Sequence, residues 1–358
     1  MKIGILTFHN AVNYGAVLQA YALKKFLEEN DNEVEIINYK SEFIENVYNK
    51  PFSKNYSLKS KIKNIMTWNI QLKRNKKFEE FARNFLEINN TDVVNKIMES
   101  IEKKYDKIIV GSDQVWSTLC TNNDTTYYLD FVSDSSKKIS YAASFGIVDE
   151  NYYENKEIKK LLSEFSKVSV RENIGLEIYK KMTNKSAITC VDPTFLLSKN
   201  EWTKELPKIN VSNYLLVYSL GMDDYIVEYA KKIAATKSLD IIYFTLNNLF
   251  TIKNRKKVII GSPMEFLSYI EKADFIVTNS FHGTAFSIIF NKEFIVVMNN
   301  NKKHDNSRLE NIINLLNLND RLVDRDNMKI VDKKIEYNEV NLRMNELVGS
   351  SKKFLEKI

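Results

Sequence analysis

Short apolar segments alternate with helix-like segments along the chain, and this alternation is the strongest constraint on its fold. Residues 2–8 form an apolar run typical of a strand, residues 16–27 carry apolar side chains at helical spacing, and residues 33–39 indicate the next strand. The same order returns in the second half, where residues 213–219 indicate a strand and residues 223–235 a helix. Strands that alternate with helices predict parallel sheets covered on both faces.

The length and the pattern together predict two domains. A chain of 358 residues exceeds what one hydrophobic core usually holds. We assign residues 1–195 to an N-terminal Rossmann-like domain with a basic helical insertion at about 46–104, and residues 208–335 to a C-terminal Rossmann-like domain. Residues 336–358 are predicted to form a helix that packs back on the first domain. Two Rossmann-like domains facing a cleft describe a GT-B-like α/β architecture, with the ligand site between them.

The sequence lacks the motifs that several classes of enzyme require. The first strand-to-helix loop has one glycine, Gly15, instead of the three of a dinucleotide fingerprint, so nicotinamide and flavin cofactors are not expected. The sequence has no Walker loop, no Gly-x-Ser-x-Gly elbow and no metal-ligand spacing, so we expect neither a metal nor a resident cofactor. Its two cysteines, Cys120 and Cys190, suit a reducing compartment. Without a signal-peptide pattern or a long apolar run, the sequence predicts a cytoplasmic location.

The net charge of +6 is concentrated in one segment. Residues 46–78 contain no acidic residue, while Lys and Arg recur and apolar residues are interleaved at helical spacing. Two interpretations stay open: a helix packed on its own domain, which the pattern favours, or a peripheral contact with the inner face of a membrane. In the second case Lys73, Arg74, Lys76 and Lys77 would contact anionic lipid. Nucleic-acid binding is not expected, because the rest of the chain shows no basic stripe.

The segment 278–284 carries the most informative polar residues. It follows an apolar run at 274–277 that predicts a buried strand, and it precedes residues 285–290, which indicate the first turns of a helix. His282 and Gly283 therefore lie where a strand ends and a helix begins, a place where open α/β sheets bind anions. A histidine there can touch an anionic ligand and transfer protons near neutral pH. The alternative is a buried structural histidine with a satisfied hydrogen bond.

A second group of polar residues follows the predicted strand at 107–110. Asp113 is a candidate general base or hydrogen-bond acceptor for a sugar hydroxyl, and its alternative role is to cap the next helix. Gln114 is a candidate hydrogen-bonding partner. Trp116 would either stack on a sugar face or lie in the core.

Two arginines are candidate anion ligands. Arg171 ends a predicted strand and suits a bidentate contact to carboxylate or phosphate, or an ion pair with Glu172 or Asp192. Arg308 stands at a predicted helix start and is either a phosphate ligand or a surface charge. We interpret Asp192, which Pro193 follows, as the end of a strand.

Six motifs in order resemble the polysaccharide pyruvyl transferase family. They are residues 13–23 (NYGAVLQAYAL), 111–116 (GSDQVW), 140–146 (SYAASFG), 169–172 (SVRE), 191–193 (VDP) and 280–283 (SFHG). The resemblance covers about residues 3–318. Each motif is weakly specific by itself, and the assignment depends on all six occurring in family order.

The resemblance implies a GT-B-like transferase that moves a pyruvyl group from phosphoenolpyruvate to two hydroxyls of a sugar. The acceptor would be a cell-surface polysaccharide, such as an exopolysaccharide, or its lipid-linked precursor, and the product a cyclic pyruvate ketal. Phosphoenolpyruvate would be a co-substrate, bound by the C-terminal domain, with the acceptor on the N-terminal domain. The implied catalytic residues are His282 and Asp113, the donor-binding residues Arg171, Ser280, Gly283 and Arg308, and the acceptor-binding residues Asn13, Tyr14, Gln114 and Trp116.

One position departs from the family pattern. Many members carry an arginine two residues before the histidine, where this chain has Ser280. We expect Arg308 to supply the missing positive charge from the following helix. The departure leaves two alternatives open: a glycosyltransferase with a nucleotide-sugar donor, and a non-catalytic glycan-binding homologue.

Overall fold

The computed structural model describes residues 1–44, 58–88, 99–298, 306–324 and 333–358. Two parts of the predicted basic insertion, residues 46–57 and 89–98, lie outside the described residues, as does His304. The described residues contain two parallel sheets, one from each half of the chain.

Six strands of the described N-terminal half form the first sheet: β1 (Lys2–Leu6), β2 (Glu33–Ile36), β3 (Lys107–Val110), β4 (Lys138–Ala143), β5 (Lys167–Val170) and β6 (Ile188–Thr189). Their order is β2-β1-β3-β4-β5-β6. All six residues of β4 are buried, which a central strand with helices on both faces requires. The helices of this half are α1 (Tyr14–Glu28), α2 (Leu58–Phe85), α3 (Glu99–Glu102), α4 (Thr118–Thr121), α5 (Glu150–Glu154), α6 (Lys156–Ser163) and α7 (Asn173–Thr183).

Five strands of the described C-terminal half form the second sheet: β7 (Tyr214–Tyr218), β8 (Asp240–Phe244), β9 (Phe275–Thr278), β10 (Phe294–Val297) and β11 (Leu322–Val323). Their order is β11-β10-β9-β7-β8. The remaining helices are α8 (Lys199–Lys204), α9 (Asp224–Lys237), α10 (Asn248–Lys253), α11 (Pro263–Lys272), α12 (Phe281–Ile289), α13 (Ser307–Leu315) and α14 (Tyr337–Leu355).

The two sheets repeat one topology, and this places the functional cleft. In each sheet the strand order reverses beside the first strand of that half, between β1 and β3 and between β7 and β9. Open α/β sheets bind ligands outside the carboxyl ends of their strands at such a reversal. The loops that follow these four strands are therefore the expected ligand-binding loops.

Helix α2 of the basic insertion packs on the C-terminal half. The side chain of Arg74 is buried, and its guanidinium donates to Thr245 O at 2.9 Å and to Asn248 Oδ1. Lys77 Nζ lies 2.5 Å from Glu265 Oε2. The prediction that Arg74 would contact lipid is wrong, because its guanidinium is buried within the protein. Lys77 is partly exposed, and its contact with lipid stays a prediction. The favoured interpretation, a helix packed on its own domain, holds only in part: Phe81 contacts Tyr21 of the N-terminal half, whereas Arg74 and Lys77 contact the C-terminal half.

The C-terminal helix α14 contacts the N-terminal sheet. Val191, just after β6, donates its N–H to Ser351 Oγ at 2.9 Å, and the rings of Tyr141 and Phe354 lie 6.2 Å apart. The last helix thereby crosses from the second half of the chain to the first. Among the described helices, none combines the length and apolar character needed to span a membrane.

Tyr14 joins the two halves of the molecule. Its ring stacks on Phe266 of α11, with centroids 4.6 Å apart and an interplanar angle of 22°. Its hydroxyl donates to Gly261 O at 3.0 Å. Three further rings surround it, namely Phe78, Tyr218 and Phe244. This cluster is apolar and fully buried, so it fixes the start of α1 against the C-terminal half.

We predict that Tyr14→Ala lowers the free energy of unfolding by about 3–5 kcal/mol, because it empties a buried aromatic site. Tyr14→Phe keeps the ring and removes one hydrogen bond, so it should cost only about 1 kcal/mol. Urea unfolding followed by fluorescence and by circular dichroism measures both values. Equal costs for the two variants would contradict the role given to the ring.

Candidate active site

A cavity of about 410 Å³ lies between the two halves, at the carboxyl ends of the strands that flank both reversals. The C-terminal half contributes Ser280, His282 and Arg308 to its lining. The N-terminal half contributes Asn13, Asp113 and Gln114. Six of the ten residues that the sequence singled out for a site therefore meet in one pocket.

His282 lies in the first turn of α12, which begins at Phe281, earlier than the apolar pattern alone indicates. Its imidazole Nε2 is 3.5 Å from Asp192 Oδ2, and the residue is 6% exposed. Asp192 belongs to the N-terminal half, so this contact crosses the domain interface. This distance is longer than that of a well-formed N–H···O hydrogen bond, which is about 2.9–3.0 Å.

Gly15 gives the His282 ring the space it occupies. A Cβ atom at position 15 would lie 2.0 Å from His282 Nδ1 and 2.2 Å from Cγ, far inside van der Waals contact. Gly15 is the second residue of α1. The start of this helix can therefore approach the His282 ring only because position 15 has no side chain. The glycine of the motif at residues 13–23 is therefore explained by packing, because it makes room for the His282 ring.

Asp192, which the sequence indicates only as the end of a strand, is a central residue of the site. It caps the turn Pro193–Leu196, with Oδ1 accepting from Thr194 N at 3.1 Å and from Thr194 Oγ1 at 2.9 Å. Its Oδ2 accepts from Arg171 Nη1 at 2.8 Å. Burial opposes its ionisation, but His282, Arg171 and the Thr194 N–H together hold the pKa of Asp192 below its ordinary value. The motif Val191-Asp192-Pro193 was the only sequence signal that pointed to it.

Arg171 lies behind the pocket. Its side chain is 2% exposed, and its guanidinium is paired with Asp192 and, through Nη2 at 3.5 Å, with Asp113 Oδ1. Phe281 covers it, with the ring centroid 4.7 Å from Arg171 Cζ. Burial disfavours the charge, yet the carboxylates of Asp192, Asp113 and Glu172 raise the pKa of Arg171. We therefore correct its predicted donor-binding role: this guanidinium positions carboxylates, and the ion-pair alternative describes it.

Asp113 occupies the loop after β3 and lines the pocket. Its backbone has φ +70°, a conformation that L-residues adopt only at local cost, and its carbonyl accepts from Ser144 N at 2.9 Å. The side chain is 12% exposed and lies 3.5 Å from the Arg171 guanidinium. It does not cap the next helix, whose N-cap is Ser117. Its predicted role toward an acceptor hydroxyl remains open.

Ser280, which replaces the family arginine, is the N-cap of α12. Its Oγ accepts from Gly283 N at 3.4 Å, and its carbonyl accepts from Thr284. The Gly283 N–H is thus turned to Ser280, which corrects its predicted contact with the donor. Gly283 is instead required for packing, because a Cβ there would lie 2.3 Å from Thr278 Oγ1.

Two predicted acceptor ligands are core residues. Trp116 is fully buried, donates Nε1–H to Tyr127 O at 3.0 Å and stacks on Tyr128, so it cannot stack on a sugar. Tyr14 is fully buried in the aromatic cluster between the halves. Both predictions are wrong for the same reason, since the sequence places an aromatic at a strand end without saying which way it points.

The other predicted ligands lie at the pocket wall. Asn13 caps α1 by accepting from Gly15 N at 3.0 Å. Gln114 packs against Gly146, whose φ of +59° and missing side chain leave room for the amide. Arg308 is the second residue of α13 and brings a guanidinium to the pocket from the C-terminal half.

A second cavity, of about 470 Å³, adjoins the first, and Ala11 lines both. It lies between the loop after β1, the end of β2 and helix α2. Polar and apolar side chains share its lining, and the polar ones include Asn10, Asn38, Asn75, Lys76 and Glu79. Within the described residues, no group of three or more His, Cys, Asp or Glu side chains is arranged to hold a metal ion.

Two solved structures share this arrangement of two facing sheets. A UDP-N-acetylglucosamine 2-epimerase from Rickettsia bellii matches with a TM-score of 0.52 at 10% identity, over 99% of this chain and 95% of the epimerase. An S. aureus MnaA structure with UDP matches with a TM-score of 0.50 at 11% identity, over 97% and 87%. Identities this low show the fold alone. The chain is a GT-B-like α/β protein, as predicted.

The family follows from the sequence comparison. Residues 13–301, most of the chain, match the family described as polysaccharide pyruvyl transferase. The chain belongs to this family, and its class of activity is that of a transferase. A search of curated proteins gives no match.

We predict that Gly15→Ala displaces the His282 ring. The added methyl cannot coexist with the present ring position, so one imidazole signal in the histidine NMR spectrum should shift and unfolding free energy should fall by about 1–3 kcal/mol. Gly349→Ala is the matched control, because a Cβ at that position of α14 meets no atom within 4 Å. An unshifted histidine spectrum in Gly15→Ala would contradict the contact.

We predict that Asp192→Asn costs about 3–5 kcal/mol at pH 7, because it leaves the buried Arg171 charge without its closest partner. Since the folded pKa of Asp192 lies below its unfolded value of about 3.9, its contribution is complete above that value and is lost as the pH falls below it. The difference from the wild type should therefore shrink between pH 5 and pH 2, approximately. Urea unfolding at several pH values measures it, with the exposed Asp240→Asn as control. A pH-independent difference would count against the ion pair.

Proposed function

We propose that this protein transfers the pyruvyl group of phosphoenolpyruvate to two hydroxyls of a sugar, which forms a cyclic ketal and releases inorganic phosphate. The observation that carries the proposal is His282, held by Asp192 across the domain interface at the wall of the shared pocket. A proton carrier at this position matches the main demand of the chemistry, because the enol carbon of the donor must be protonated.

The steps can be written with balanced protons and electrons. A proton adds to the methylene carbon of phosphoenolpyruvate, and the central carbon becomes oxocarbenium-like. The first sugar oxygen bonds to that carbon and its proton passes to a base. The bond between this carbon and the phosphate oxygen then breaks with its electron pair, and the second sugar oxygen takes its place. Of the two hydroxyl protons, one replaces the proton used at carbon and one leaves with phosphate.

The residues of the pocket fit these steps. His282 would donate the proton, and the Asp192 carboxylate would stabilise the imidazolium while it carries that proton, as a buried acid does beside a catalytic histidine. Asp113, which the N-terminal half contributes, would accept the hydroxyl proton. Arg308 would hold the phosphate or carboxylate of the donor. The adjoining cavity lined by Asn10, Asn38 and Asn75 offers amide groups and room for the acceptor glycan.

A nucleotide-sugar glycosyl transfer is the second candidate, because the GT-B-like structures that resemble this chain include one with bound UDP. Thermal-shift titration separates the two, since a ligand of the folded state raises the melting temperature by mass action. We expect a shift with phosphoenolpyruvate and none with UDP or UDP-N-acetylglucosamine. The reverse result would move the assignment to glycosyl transfer.

We predict that His282→Ala lowers phosphate release from phosphoenolpyruvate, assayed with a screened glycan acceptor, by about 10²-fold or more. Arg308→Ala should raise the KM for phosphoenolpyruvate about tenfold, through the loss of one charged contact. Arg343→Ala, an exposed arginine on α14, is the matched control and should change neither value. Full activity of a folded His282→Ala enzyme would end the proposal.

A further inference from the structure

The outward face of helix α2 exposes large apolar side chains. Ile65, Met66 and Leu72 are 63%, 62% and 46% exposed, whereas Arg74 of the same helix is almost fully buried. At 100° per residue, these three positions and Lys73 fall within an arc of roughly 120° opposite Arg74. A helix that buries its arginine and exposes its isoleucine inverts the usual arrangement of a surface helix.

Up to Phe78 the charge of this helix is of one sign, and the acidic residues Glu79 and Glu80 follow only in its last turns. Between Asn46 and Phe78 the sequence contains no acidic residue, and Lys73 and Lys76 are exposed on the arc. Helix α10 packs beside α2, where the Asn248 side chain bonds both Gln71 and Arg74. A second basic cluster follows α10 directly, formed by the exposed Lys253, Arg255, Lys256 and Lys257. Exposed cations thus occur both on α2 and at the end of the helix that packs beside it.

We propose that this face of α2, together with the basic cluster 253–257, binds the surface of an anionic lipid bilayer. Aliphatic side chains would enter the boundary between headgroups and acyl chains, and the lysines would pair with anionic headgroups. The charge complementarity selects this occupant, because a second copy of the chain would bring the same positive charge and be repelled. The surface differs from the predicted one, since Arg74 faces inward.

The position of the face suits an enzyme that works beside a membrane. Lys76 lies on the outward arc and also lines the second cavity. A bilayer bound at this face would therefore lie next to the cavity that we assign to the acceptor. The binding itself does not depend on that assignment or on the pyruvyl chemistry.

Co-sedimentation of the full chain with lipid vesicles tests the proposal. Vesicles of phosphatidylglycerol and phosphatidylcholine in equal parts should bind the protein, with weaker binding as salt rises, and pure phosphatidylcholine should not. Two variants remove the two components separately: Ile65→Ser with Met66→Ser and Leu72→Ser, and Lys73→Gln with Lys253→Gln, Arg255→Gln and Lys256→Gln. Each should lower the vesicle partition coefficient about tenfold or more.

The control replaces four other exposed lysines, Lys159, Lys160, Lys231 and Lys232, with Gln and removes the same charge. It should bind vesicles nearly as well as the wild type. If the control and the Lys73 variant lost vesicle binding equally, unspecific attraction would explain the binding and the proposal would be wrong. Unchanged vesicle binding of the serine variant would also overturn it. A second copy would be the occupant if the wild type did not bind vesicles and instead formed a dimer in sedimentation-velocity runs, and if the serine variant did not form that dimer. Circular dichroism verifies that each variant is folded.

Discussion

The contact between Asp192 and His282 is the interaction on which the site depends. The carboxylate comes from the end of the first sheet and the imidazole from the start of a helix in the second half, so neither half contains a complete site. Asp192 can be buried as a carboxylate only because Arg171 and Thr194 compensate its charge. The Asp113, Glu172 and Asp192 carboxylates surround one guanidinium, so the acidic groups of this cluster outnumber its single arginine.

This contact needs two domains held at a fixed distance, and the start of α1 provides that. Tyr14 inserts its ring into the aromatic cluster of the C-terminal half, while the next residue, Gly15, leaves the space that His282 fills. Two adjacent residues thus divide two tasks: Tyr14 fixes the interface, and Gly15 leaves space for the His282 ring. A shift of α1 that loosened the Tyr14 ring would also change the distance from His282 to Asp192, since all of them share one interface.

The sequence predicts the fold better than the site. Apolar strands and amphipathic helices carry their own periodicity, so the parallel sheets and the meeting of strand-end loops in one cleft follow from local patterns. The orientation of a side chain at a strand end has no such local signal. Trp116 and Tyr14 turn into the core, and Arg171 turns toward carboxylates that lie near it only after folding. Asp192 was undervalued because its partners come from three other segments of the chain.

Ser280 shows how one substitution redistributes charge in such a site. As the N-cap of α12, its hydroxyl accepts from Gly283 N, a bond that a long cationic side chain at this position would not make. The helix start that carries His282 is therefore stabilised by a cap, at the loss of one cation facing the pocket. An anionic donor then needs its charge compensated from another element. Arg308 lines the same pocket from α13 and is the residue that we propose for this charge, and the fold brings it to one pocket with Ser280 although the two lie apart in the chain.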